Sequence, residues 1–575
     1  MKFNWKIGGE AGFGIMTSGL VFSKVATRSG YYIYDYTEYP SLIRGGHNTY
    51  EVAVSDNPIS ASIFEVDFLI CLNKETYDLH KHRLKKDAYL MYDPEQFEPD
   101  TEVVKMPVPF AKIKREQSIQ QQMLNSVALA GSIYFLGGDQ KIYDDMIKEQ
   151  FSRKGEDVIN FNLNLANIGR EYVRQSGLAT LKVLTLKENI EKKLVITGNE
   201  VFSLASIPAD CRHYASYPMT PASSILGILA AWQYKNGMVV RHPEDEISVI
   251  NSALGSSFVG ARSAVGTSGG GFALMVEALS FAGVAEIPIV VFLSMRPGPA
   301  TGMPTWTEQG DLLFAVNSGH GEFPKIVLAP GDVHEMASMT LKAFDLADIY
   351  QTPVILLSDK LLSESHQVIL KKDIEKMFAE YIPDRGKIKD NIAEPIYLRY
   401  ENFDDGVSPM LLPGKEGIYY QANSYEHIED SHTTEDATPR KVQVEKRNRK
   451  QATYLKNHFS GPNFYGQEHP DILLVSWGSM KGVILEALRL LDSENIRVGF
   501  LHFNHIFPLS EELVSKHFSD IGAKNLILIE NNSQAQFGKL LREQTGINIK
   551  DKLLRYDGRP FYPEEIRDYV KQYKK

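Results

Sequence analysis

The sequence predicts an α/β protein built from three α/β domains. Its 575 residues are too many for one hydrophobic core. Short apolar runs alternate with helical stretches in three separate blocks, and polar segments divide the blocks. The boundaries read from this rhythm are 1–180, a charged linker at 181–195, 196–385, an extended connector at 386–468, and a final domain at 469–575.

In the first block the strand FNWKIG runs into a glycine turn, a helix from about Met16 to Arg28, and then the strands YYIYDY, NTYEVAVS and FLICLN. In the second, VFSLASI and the small-residue helix ISVINSALGSSFVGARSAV precede three strand-like runs, IPIVVFLSM, FPKIVLAP and TPVILLSD. Each follows a dozen or more helical residues, the signature of a parallel sheet with crossover helices. The connector carries PMLLPGKEG and the polar run EHIEDSHTTEDATPRKVQVEKRNRK, and no core of its own is expected there. The last block returns to alternation with DILLVSWGS, VILEALRLL, RVGFLHF and NLILIENN.

Charge and composition exclude several classes. A net charge of -10 gives no electrostatic footprint for nucleic acid, and the one basic run, Lys441 to Lys450, is interleaved with Gln443 and Glu445 and reads as a solvated connecting segment. The two cysteines, Cys71 and Cys211, stand in no spacing that would hold zinc or an iron-sulfur cluster, so electrons would leave through another chain. The start, MKFNWKIGGEAGFG, lacks a charged region followed by an apolar one, and apolar runs such as Ile287 to Leu293 are too short to span a bilayer. No membrane association is expected, and a cytoplasmic location is.

Six motifs invite a chemical reading. The turn GGEAGFG, with Asp35 roughly twenty residues further on, invites a dinucleotide reading. Its glycines run G-x-x-G-x-G rather than G-x-G-x-x-G, and a tight strand-to-helix turn accounts for them without a ligand. Arg44, Gly45 and Gly46 would bind an anion or simply hold two loops together. YPMTP, Tyr217 to Pro221, is a proline-stiffened loop between a strand and a helix, where open α/β sheets place ligands; Thr220 as N-cap with Pro221 as first helical residue is the plainer alternative.

Glu244, Asp245 and Glu246 precede a small-residue helix, so they complement its dipole, and one of them is expected to be drawn toward a buried site. TSGGG, Thr267 to Gly271, allows close backbone approach but lacks the Lys and Ser/Thr of a phosphate loop. Arg296 opens the Pro- and Gly-rich segment MRPGPATGMPTWTEQGD at a strand's carboxyl end, as a grip for a carboxylate or one half of a structural ion pair.

In this order and spacing, YPMTP, the acids before SALGSS, TSGGGFALM and RPGPATGMPTWTEQGD resemble the alpha subunit of 2-oxoacid:ferredoxin oxidoreductases. GGEAGFGI with EYPSLIRGGH is similar to the family's gamma domain, with AGFGI where the usual motif has GGQGI. The resemblance covers nearly the whole chain and implies three parts: a gamma domain, a thiamine-diphosphate pyrimidine-binding domain and a transketolase C-terminal-like domain.

It further implies oxidative decarboxylation of a 2-oxoacid to its acyl-CoA, with electrons passing to ferredoxin. Glu246 falls at the activating glutamate, whose hydrogen bond to a ring nitrogen of the aminopyrimidine favours the imino tautomer. Tyr217, Pro218 and Thr220 would join Glu246 in binding the cofactor, and Thr220 and Arg296 would bind the substrate, Arg296 through its carboxylate. The GDG motif and downstream Asn that hold the diphosphate through magnesium are absent from this sequence. The resemblance therefore assigns the diphosphate, the Mg and a 4Fe-4S cluster to a beta subunit, with coenzyme A as acyl acceptor and a dimer of heterodimers as the assembly. It leans toward 2-oxoglutarate, with pyruvate or a branched-chain 2-oxoacid as the alternatives. A nicotinamide dehydrogenase and a non-catalytic scaffold are the rival readings.

Overall fold

The computed structural model describes residues 1–41, 45–389, 397–414, 416 and 418–574, and the chain forms two compact units. The first comprises Met1–Ile196, Glu364–Asp373 and Tyr562–Lys575. Its strands are β1 (Lys2–Glu10), β2 (Tyr32–Glu38), β3 (His47–Ser55), β4 (Val66–Cys71), β5 (Leu84–Tyr92), β6 (Val104–Pro107) and β7 (Lys193–Ile196). β1 pairs antiparallel with β3 over nine residues and parallel with β4. The helix Ile15–Arg28 seats its apolar face on this sheet, with Phe22 stacked on Trp5 at a ring separation of 4.1 Å.

The second unit comprises Thr197–Ser363 and Ile374–Phe561. Its larger sheet contains β8 (Cys211–Ala215), β9 (Val239–Arg241), β10 (Arg262–Thr267), β11 (Ile289–Met295), β12 (Ile326–Leu328) and β13 (Pro353–Asp359). These six run parallel in the order β12-β13-β11-β10-β8-β9, as the strand and crossover pattern predicts. β10, β11 and β13 are buried at every residue, which suits strands covered on both faces by helices. A second, five-stranded sheet lies within residues 463–554 and carries the final block of alternation. Among the described residues no helix is long and apolar enough to cross a membrane.

The structure departs from a chain-order division at four places. The segment expected as the linker 181–195 begins inside the first unit's core: Val183 and Leu184 are buried, and the Leu181 and Val183 amides donate to the carbonyls of Phe135 and Leu136. Its end forms β7. The strand Gln367–Leu370, from the block 196–385, pairs antiparallel with β7 and joins the first unit's sheet. Tyr562–Lys575, from the block 469–575, also belongs to that unit, where the Arg83 guanidinium lies 5.0 Å from the Tyr562 ring.

The fourth departure is the basic run. Lys441 to Lys450 is not a solvated connector but part of a 21-residue helix, Ala437–Asn457, capped by the Asp436 side chain. Lys446, Arg447 and Lys450 are buried, because Glu286 and Glu426 supply the charges they need.

Candidate functional site

Four adjacent parallel strands of the second unit deliver the site, each at its carboxyl end, where a crevice opens in this type of sheet. After β8 comes the loop with Tyr217, Pro218, Met219 and Thr220, and the Thr220–Pro221 bond is cis. The next helix, Ser223–Asn236, begins beyond it with Ala222 at the N-cap, so the capping role weighed for Thr220 is not what the fold uses. Thr220 offers its carbonyl outward instead, accepting a 2.7 Å bond from the Arg296 guanidinium.

After β9 the three acids divide their tasks. Glu244 is exposed, Asp245 caps the helix Glu246–Phe258 by accepting from the Ser248 amide at 2.8 Å, and Glu246 is 4% exposed. Its Oε1 has no hydrogen-bond partner, a costly arrangement for a buried carboxylate unless a ligand completes it.

After β10, Gly269–Val284 starts on the three glycines, and two of them make room for acids. A Cβ on Gly271 would lie 2.9 Å from the Glu246 carboxyl carbon, and one on Gly269 would lie 2.5 Å from Asp311 Oδ2. The Gly271 amide also reaches the Met219 sulfur at 3.3 Å, tying the first loop to the third.

After β11, Arg296 begins the long loop and Asp311 ends it. Burial lowers the Arg296 pKa and the Asp311 charge opposes that shift. Burial pushes Asp311 up to about 6 against the pull of Arg296, and burial together with Asp311 pushes Glu308 up to about 7. Thr305 Oγ1, on the same loop, is buried without a partner.

The site thus combines an unsatisfied carboxylate, a guanidinium and a pair of acids of raised pKa at the mouth of a parallel sheet. The Arg296–Thr220 bond and the contacts of Gly271 with Met219 and Glu246 tie the loops carrying Thr220, Glu246 and Arg296 to one another. Tyr217 stands on the same loop as Thr220, 40% exposed, its ring 5.8 Å from His242.

Two family models match the chain: "Pyruvate ferredoxin/flavodoxin oxidoreductase" over residues 4–172, and "Pyruvate flavodoxin/ferredoxin oxidoreductase, thiamine diP-bdg" over residues 204–447. A 2-oxoacid:ferredoxin oxidoreductase subunit alpha from Saccharolobus solfataricus is 32% identical, covering 99% of this chain and 98% of the relative. The chain belongs to the 2-oxoacid:ferredoxin oxidoreductase alpha subunits, in the form fused to a gamma-type domain.

Among solved structures, a 2-oxoglutarate:ferredoxin oxidoreductase from Magnetococcus marinus, bound to 2-oxoglutarate, coenzyme A and succinyl-CoA, matches this alpha subunit with a TM-score of 0.91. It is 30% identical, and 99% of each chain is covered. A 2-oxoglutarate synthase subunit KorA from Archaeoglobus fulgidus is 29% identical over 65% of the alpha subunit and 98% of its own length.

The thiamine-binding family match contains all five residues picked from sequence, Tyr217, Pro218, Thr220, Glu246 and Arg296. The orphaned Glu246 oxygen fits an aminopyrimidine, since it lacks the one hydrogen bond that such a ring nitrogen would supply. Asp35, weighed for a nucleotide ribose, is fully buried and already bonded to Ser23, Tyr50 and the His366 amide. That arrangement removes the support for the nicotinamide reading. Arg44 lies outside the described residues. Among the described residues no cluster of three or more metal-ligating side chains occurs.

Sequence reasoning missed Met219, Thr305, Glu308 and Asp311. The last two stood inside the quoted TEQGD, and only the packing of that loop reveals their burial. Gly271 makes a sharp prediction. Gly271→Ala would press a methyl group into both Thr267 Oγ1 and Glu246 Oε1, and is expected to lower kcat about 10²-fold, as displacements of this kind at a reacting centre do, and to lower the Tm through the loss of about 1–3 kcal/mol that overpacking causes. Steady-state kinetics beside a melting curve would check it.

Proposed function

We propose that the alpha subunit holds the aminopyrimidine half of thiamine diphosphate against Glu246 and performs, with a beta subunit, the oxidative decarboxylation of 2-oxoglutarate to succinyl-CoA. The observation that carries this is the buried Glu246 oxygen with no partner in its own chain. When bound, thiamine diphosphate supplies the nucleophilic carbon and the electron sink for decarboxylation. The chain's own residues orient and activate. Glu246 shares a proton with the pyrimidine ring, the Thr220 loop and Met219 shape the ring's seat, and Arg296 offers its guanidinium to the substrate carboxylate.

No GDG motif is present, so the diphosphate, the Mg and the 4Fe-4S cluster are assigned to the beta subunit, as are the electrons on their way to ferredoxin. The assembly proposed is a dimer of alpha-beta pairs. The names of the Magnetococcus and Archaeoglobus relatives favour 2-oxoglutarate over pyruvate and the branched-chain 2-oxoacids.

The test is co-expression with a beta-type subunit and an assay of ferredoxin or methyl viologen reduction with coenzyme A and a panel of 2-oxoacids. Activity that requires both chains and is greatest with 2-oxoglutarate supports the reading; no activity with any 2-oxoacid returns the chain to the scaffold reading. In the same assay Arg296→Ala is expected to raise the KM for the 2-oxoacid by about 10²-fold, the loss of a charge-assisted pair of about 3 kcal/mol, while thiamine diphosphate affinity changes far less. Equal effects on both would overturn the assignment of Arg296.

A further inference from the structure

The loop 217–221 is gripped at three successive residues, and the last grip comes from a side chain that the proposed chemistry leaves unused. Met219 accepts from the Gly271 amide, the Thr220 carbonyl accepts from Arg296, and the Pro221 carbonyl accepts from the Asn199 side-chain amide at 2.7 Å. Asn199 is fully buried, and its nitrogen donates a second bond to the Ser224 hydroxyl at 2.9 Å, just beyond the loop.

The support under Asn199 is firm. It stands in the first turn of the helix Gly198–Ser206, which is closed by a reciprocal cap: the Thr197 amide donates to the Glu200 carboxylate at 2.9 Å, and the Glu200 amide donates to the Thr197 hydroxyl at 3.2 Å. Gly198, beside it, packs on the Leu362 carbonyl with no room for a side chain. A carbonyl can only accept, so the Asn199 nitrogen must be the atom that faces Pro221. Its Oδ1 is left buried with no partner. A buried amide that commits both protons to the loop and its exit, at the expense of an unsatisfied oxygen, weakens the fold locally in order to hold that backbone.

We propose that Asn199 is a positioning residue for the substrate grip: by holding the Pro221 carbonyl it aims the neighbouring Thr220 carbonyl at Arg296, and so sets the direction in which the guanidinium meets the carboxylate of a 2-oxoacid. The inference rests on the reading of Arg296 given above. Among the described residues the Thr220 carbonyl is the hydrogen-bond partner of the Arg296 guanidinium, and no other protein group bonds to it. Its remaining N–H groups are open to a ligand, and that one bond fixes where they point. A planar fork engages a carboxylate with both arms only when it is correctly aimed, so a shift of the Thr220 carbonyl is passed on to the substrate. Met219 keeps its separate tie to the Gly271 amide, so the cofactor side of the loop does not depend on Asn199.

The experiment measures KM and kcat for the 2-oxoacid, thiamine diphosphate affinity and a melting curve in the complex with the beta subunit, for Asn199→Ala and Asn199→Leu, each alone and combined with Arg296→Ala. The leucine refills the volume but has no proton to give, so a folding defect in one variant leaves the other to decide. Both variants are expected to raise KM about tenfold, as the loss of one hydrogen bond does, with kcat and cofactor affinity nearly unchanged. In the Arg296→Ala background they are expected to add almost nothing, because no guanidinium remains to be aimed. A KM rise that persists in full in that background overturns the proposal. So does a parallel loss of substrate and cofactor affinity, which would mark Asn199 as a general support of the fold. If Arg296→Ala raises KM and the Asn199 variants do not, the proposal alone is wrong; if Arg296→Ala leaves KM unchanged, the reading beneath it fails.

Discussion

Glu246→Gln in the assembled enzyme is expected to lower kcat by about 10³-fold, within the range that a positioned proton-transfer group contributes. The substitution keeps the size of the side chain and its place against Gly271, and the cap of its helix comes from Asp245. The fold should therefore survive, and the melting temperature should stay within a degree or two. What changes is the charge at one buried atom. A carboxylate oxygen with no partner can take a proton from a heterocycle or return it, whereas an amide there can offer only a fixed hydrogen bond. Thiamine diphosphate should still bind in the variant, so a loss of turnover would be a loss of activation. Turnover within tenfold of wild type would show that Glu246 is not the activating group.

The second large effect falls on stability. Glu286 is fully buried at the end of the helix Gly269–Val284, with Lys446 at 2.6 Å and Lys450 at 2.5 Å, the latter an ion pair without hydrogen-bond geometry. Arg399 donates to its backbone carbonyl at 2.9 Å. Burial alone would raise the Glu286 carboxyl, but Lys446, Lys450 and Arg399 hold it well below the usual carboxylate range. Glu286→Gln leaves two buried lysines and an arginine without a counter-charge, and removing one partner of such a set costs about 3–5 kcal/mol. The second unit should unfold at markedly lower denaturant concentration. Adding Lys446→Met to the variant should recover part of the loss, because it removes one unpaired cation rather than a second contact. A single variant as stable as wild type would show that the cluster contributes nothing net.

These two acids also show what the sequence made legible. Glu246 could be picked out because it heads a helix of small residues, and Thr220 and Arg296 because proline-rich loops follow apolar strands; all three signals are local. Glu286 gave no such signal. Its backbone lies at φ 52, where glycine or asparagine is usual, but nothing in AGVAEIP announces a partner 160 residues away. The basic helix was misread for the same reason. Its cations lack the apolar stripe that marks a buried face, and their burial depends on Glu286 and Glu426, which sit elsewhere in the chain. Likewise QVIL, residues 367–370, looks like any short strand, and pairing with β7 rather than with its sequence neighbours is decided by tertiary contacts. The parallel order of the central sheet was readable because each strand there is followed by its own crossover helix.

The central claim is that Glu246 activates thiamine diphosphate, and the most direct measurement is the rate at which the thiazolium proton of the bound cofactor exchanges with deuterium in the alpha-beta complex, without substrate. Exchange that is fast in wild type and falls by about 10²-fold or more in Glu246→Gln, with the cofactor still bound, is the predicted result. Equal exchange rates in the two proteins would contradict the account, whatever the effect of the substitution on turnover.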